Sequence, residues 1–217
     1  MYQLNINIDS QGLQNIYSAA QYVTISQGSG SNAIAWITFQ PFQANQVSWV
    51  EQYYLYASTT VLQPGASIFM MSQTDGPAQF GYIYTLQQGM FTAAPGGANA
   101  LNAANAQQNG VVLGVAQAAT VNGVSIFSPT LGVSTLLNQE ATFTPANVVN
   151  IFLSSYSNNG VVLPEIPSNA LRVALTSQEP VANIGFNDAT SSFYLVNQSA
   201  AFLSFENVAQ GKQLEAS

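Results

Sequence analysis

The pattern that most constrains this chain is the alternation of apolar and polar side chains in short runs rich in Val, Ile, Thr, Tyr and Phe. These runs are broken by turn pairs at Asn109-Gly110, Asn122-Gly123 and Asn159-Gly160. A period of two puts successive side chains on opposite faces of a pleated strand, and Asn-Gly supplies the left-handed residues that a tight hairpin needs. The chain is therefore expected to be all-β. One stretch breaks the pattern. Ala93 to Gln108 is rich in Ala, Asn and Gly, contains Pro95-Gly96-Gly97, and reads as a linker or, from Ala98 onward, a short helix.

The two sides of that stretch resemble each other. Thr38-Phe39, Pro41, Ala44-Asn45, Val47, Tyr54 and Gly81-Tyr82 recur in order as Thr142-Phe143, Pro145, Ala146-Asn147, Val149, Tyr156 and Gly185-Phe186, with the same offset at both ends (38 to 142 and 81 to 185). Such a register argues for internal duplication. Each half carries frequent turns and about seven short strand signals, the make-up of a small antiparallel sandwich. The expected fold is two tandem antiparallel β-sandwich units of immunoglobulin-like architecture, 1–92 and 109–217, joined by a linker at 93–108. The alternative is one pseudo-symmetric sandwich or barrel in which both halves share a core.

Composition limits the chemistry. The 217 residues include no Cys and no His, which removes disulfides, thiolate nucleophiles, imidazole bases and the usual zinc ligand sets. No cofactor is expected. Arg172 and Lys212 are the only cations against nine acids, for a net charge of −7. A row of phosphates has nothing to pair with, and neither does an anionic lipid surface. Charged residues make up 5% of the chain against roughly 25% in ordinary soluble domains, so its surface must be mostly neutral amides and hydroxyls. Such a surface repels its own copies weakly.

The opening Met1-Tyr2-Gln3-Leu4-Asn5-Ile6 has neither a basic n-region nor an apolar h-region, and no apolar run is long enough for a membrane span. This predicts cytosolic synthesis without a Sec signal, with release by a non-Sec route as the alternative.

The apparent duplication allows one half to be compared with the other. Simple alternation puts Ile37 and Phe39 on a core face and Trp36 on the opposite face, where its counterpart is Glu140, a residue type rarely buried. In the next strand Val47, Trp49 and Tyr54 keep apolar or aromatic counterparts. Glu51, Tyr53 and Tyr56 face Leu153, Ser155 and Asn158 instead. Trp36, Glu51, Tyr53 and Tyr56 are therefore the candidate ligand-binding residues. Aromatic rings beside amides and a carboxylate suit a neutral sugar, whose C–H face stacks on the ring while its hydroxyls pair with the polar groups. The competing reading packs these rings between units or subunits.

Glu51 is the only acid embedded in an aromatic strand, no two acids are spaced for calcium, and Gly96-Gly97 lacks the Lys of a phosphate loop. No enzyme activity is expected. The leading expectation is a lectin-like binder of neutral glycans or cell surfaces, of the kind found in defence or toxin systems. The rival is a self-assembling fibre, coat or inclusion subunit.

Overall fold

The computed structural model describes residues 1–28 and 33–196. Residues 197–217, which close the second expected unit and contain Lys212, lie outside the described residues. The regular structure of the described chain is nearly all strand, as the alternation predicts, and its strands form three sheets. The largest has the order β10 (Val124–Thr135), β9 (Val111–Val121), β4 (Ala44–Ser58), β1 (Tyr2–Asn7), β15 (Val181–Asn187) and β16 (Ser192–Leu195), with β5 (Ser72–Gln73) paired to the end of β4. A five-stranded sheet has the order β13 (Val161–Val162), β3 (Ile34–Phe39), β2 (Tyr22–Gln27), β12 (Val148–Ser154) and β14 (Leu171–Ala174). A four-stranded sheet has the order β11 (Glu140–Phe143), β8 (Leu101–Asn105), β6 (Tyr82–Gln87) and β7 (Met90–Pro95).

This pairing corrects the expected division into tandem units. Strand β1 pairs in parallel with β15, β2 pairs with β12, β4 pairs with β9, and β6 shares a sheet with β11, so all three sheets contain strands from both halves. The segments aligned by the internal register also take unlike partners. β3 lies between β2 and β13, whereas β11 pairs with β8. The physical reason is burial. Leu4 and Ile6 share one core with Ile184, and Val23 and Ile25 share it with Val149 and Ile151, so neither half covers its own apolar faces. The expected linker at 93–108 is strand as well. It contains the end of β7 and all of β8, an interior strand of the four-stranded sheet. Asn102 on β8 is fully buried, and its Nδ2 sits against the carbonyls of Tyr82, Ala98 and Ala100 while its Oδ1 accepts from Thr142.

A helix, α1 (Ser10–Ser18), lies in a unit for which no helix was expected. The Asp9 carboxylate caps it by accepting from the Gly12 amide at 2.7 Å, and Ile16 enters the core. Among the described residues no helix is long and apolar enough to cross a membrane.

The long strands β4 and β9 cross two cores. The first, under the five-stranded sheet, takes Val47 and Trp49 from β4 and Ala119 and Val121 from β9. The second, under the four-stranded sheet, takes Tyr53, Leu55 and Ala57 from β4 and Val111, Leu113 and Val115 from β9. Between them β4 bulges, with its register to β9 shifting between Trp49 and Tyr53. Gln117 of β9 sits at this crossing, fully buried. Its Nε2 donates to the Val50 carbonyl at 2.8 Å, its Oε1 accepts from Gln27 Nε2 at 2.6 Å, and its backbone carbonyl accepts from Trp36 Nε1 at 3.1 Å. Gln117→Leu keeps the backbone contact to Trp36 but strips the buried Gln27 amide and the Val50 carbonyl of their partners, and should lower unfolding free energy by about 1–3 kcal/mol. Denaturant unfolding monitored by tryptophan fluorescence measures this.

Candidate functional site

The four residues singled out by the comparison of halves do not form one open surface. Trp36 is fully buried. Strand β3 bulges there: its register to β2 shifts between Ile25 and Ser26, which pair with Ile37 and Ala35 and leave Trp36 as the extra residue. A bulge of this kind breaks the alternation, so Trp36 joins Ile37 in the first core instead of facing away from it. Its ring meets Trp49 edge-on at 5.4 Å between centroids. The expectation of a partly wet Trp36 is thereby overturned.

Tyr53 and Tyr56 are buried as well, at 6% and 0% exposure. Tyr53 packs with Leu55, Leu86 and Leu113 in the second core. Tyr56 lies on the other side of β4, and its hydroxyl donates to the Leu131 carbonyl at 3.0 Å. A Cβ on Gly114 would fall 2.4 Å from the Tyr56 ring, which is why glycine stands there. Tyr54, read as structural, is the half-exposed ring of the trio and stacks edge-on with Phe127.

Glu51 alone is on the surface, in the β4 bulge. It accepts from the Tyr2 hydroxyl at 2.7 Å and from Asn147 Nδ2. No second carboxylate is among these partners, so the constellation offers one acid, two amide or phenol donors and no exposed ring face. Among the described residues no group of three His, Cys, Asp or Glu side chains could hold a metal ion.

Concave sites lie elsewhere among the described residues. One, about 520 Å³, opens at one end of the second core between Met71 and Ser72, the β6–β7 hairpin, and the turn at Gln107 to Asn109. A smaller one of about 200 Å³ lies along the seam between β5 and β7, where Asp75 and Thr74 face the rings of Tyr84 and Phe91. Another, about 440 Å³, lies between the ends of β2 and β11 with Arg172 at its edge. Asp75-Gly76-Pro77 is by itself only a turn signal. The available signal was the hairpin at Gln88-Gly89, whose two residues have φ of 51° and 79°. That turn sets the register that pairs Tyr84 with Ala93 and Leu86 with Phe91 on one face.

Burial governs the phenols. Desolvation first, then the Glu51 charge, pushes the Tyr53 hydroxyl up to about 12, and burial raises Tyr56 too. Tyr2 is raised chiefly by its hydrogen bond to Glu51. A folded-state value above the unfolded value of about 10 means that the unfolded chain loses its proton first. Stability is therefore intact below pH 10 and falls as pH rises from 10 to 12. Tyr53→Phe should flatten that fall, as measured by denaturant unfolding at steps of pH, and an ultraviolet difference titration should lose a component above pH 10 in that variant.

Comparison of this chain with protein-family models, with curated proteins and with solved structures returns no match.

Proposed function

We propose that the protein is a non-catalytic structural module that associates with copies of itself through a neutral apolar face. The observation that carries this reading is the segment 59–71. It is held on one side by the Met71 amide on the Ala57 carbonyl at 2.8 Å, and on the other by the Gly65 amide on Val162 and the Ile68 amide on Gly160. Leu62, Ile68 and Met70 turn inward against Tyr56, Val112 and Ala116. Val61, Phe69 and Met71 turn outward, at 70%, 74% and 47% exposure.

A fixed segment with apolar side chains on both faces is built to be covered on both. No charged residue occurs between Glu51 and Asp75, so the face offers nothing to an ionic partner. A second copy presents the same neutral surface without repulsion and can pair with it about a two-fold axis. Growth by strand addition is a poorer route, because β7 ends in Pro95 and β10 carries Pro129 beside a register shift, features that blunt an edge.

Size-exclusion chromatography with light scattering tests the reading. Oligomers should persist between low salt and ~1 M salt, where the Debye length is about 3 Å. Phe69→Asp should return the protein to monomer without lowering its melting temperature. A wild-type chain that stays monomeric at high concentration in every buffer refutes the proposal.

A second reading, binding of neutral glycans, is favoured by the seam pocket. There Phe91 is half-buried, with ring surface left to stack on a sugar, and Asp75 supplies an exposed carboxylate for its hydroxyls. Its 200 Å³ suits a single sugar ring better than a drug-sized ligand. On a glycan array, Phe91→Ala and Asp75→Asn should each abolish any signal seen with the wild type. Signals that survive both variants exclude this pocket.

A further inference from the structure

The geometry points to a binding site for one small uncharged molecule with an apolar body, at the mouth of the second core. This site borders the face proposed for self-association and shares Met71 with it, but its floor and rim lie apart from Val61 and Phe69. The two sheets around the second core nearly close on each other. β5 continues the edge of β4 and lies against β7 without pairing to it, and β11 stands close to β9 and β10 on the other side. Mouths of barrel-like folds are common ligand sites because inward side chains there have no further layer to pack against.

The floor is Leu86 and Val111, both core residues, and Met71 stands at the wall. The remaining lining is neutral and polar: Thr59, Ser72, Gln107, Gln108 and Asn109, with Gly89. About 520 Å³ falls within the usual range for small-molecule pockets, ~300–1,000 Å³. No acid or base lines it, so a charged ligand would lose its hydration without gaining a counter-charge. A molecule with an aliphatic or aromatic body and one or two hydroxyl or carbonyl groups meets the apolar floor and the amide rim together.

The probe is N-phenyl-1-naphthylamine, which is neutral and brightens in apolar surroundings, titrated into the full chain. One saturable site per chain is expected, with displacement by 1-octanol and at least ten-fold weaker displacement by octanoate. Met71→Trp at the wall and Gln108→Trp on the exposed rim should each weaken probe binding ten-fold or more while melting like the wild type. Phe69→Asp, which removes the self-association face, should leave probe binding unchanged. Failure of the assembly reading would therefore not touch this one. The proposal is overturned if enhancement is not saturable, if both tryptophan variants bind as the wild type does, if octanoate competes as well as octanol, or if Phe69→Asp abolishes binding, which would move the probe to the outer face.

Discussion

The arrangement of the molecule depends on how β9 passes from one core to the other. Its odd-numbered side chains run Val111, Leu113 and Val115 into the second core and Ala119 and Val121 into the first, with Gln117 between them. At that point two covering sheets meet over one continuous strand, and β4 must bulge to serve both. A bulge leaves backbone groups out of the ladder, and a partly buried carbonyl that loses its donor is costly. Gln117 meets the cost by donating to Val50, and Gln27 from the five-stranded sheet closes the network. Trp36, displaced into the core by a second bulge, ties the same sheet to the Gln117 backbone.

Neutral amides play this part throughout the chain. Asn45 donates to the Ile6 and Phe42 carbonyls while accepting from the Phe42 amide, Asn102 serves three carbonyls, and Asn105 bonds to Asn109 and Thr135. An amide carries donors and an acceptor together and can be buried without the desolvation penalty of an ion. Two cations in 217 residues are thus compatible with an interior whose polar contacts are made by neutral amides.

The same neutrality extends to the surfaces proposed to meet partners. The outward face of 59–71 has no charge, the mouth of the second core has none, and the seam pocket has a single carboxylate. Recognition on such surfaces rests on shape, apolar area and hydroxyl or amide pairing, which are insensitive to salt. The acid that sequence comparison singled out, Glu51, has a local structural role: it anchors Tyr2 and Asn147 to the β4 bulge and raises the phenols beside it.

Local sequence determined the all-β class and one of the three expected Asn-Gly hairpins; Asn109-Gly110 and Asn159-Gly160 join strands that do not pair with each other. Asn122-Gly123, with φ of 49° and 84°, closes the β9–β10 hairpin where the pattern predicts it, because the preference for left-handed backbone belongs to those two residues alone. The excluded chemistries also follow from composition, since a missing imidazole or thiol cannot be restored by folding. The faces of Trp36 and Tyr53 could not be read this way. One bulge moves a side chain across the sheet, and bulges arise where two sheets must be accommodated on one strand. The pairing of β1 with β15, and with it the loss of the tandem-unit architecture, was likewise a tertiary decision. Gln3 and Val181 lie at opposite ends of the described chain, and what joins them is the burial of Leu4, Ile6 and Ile184 in a common core, an energy that exists only once the whole sheet has assembled.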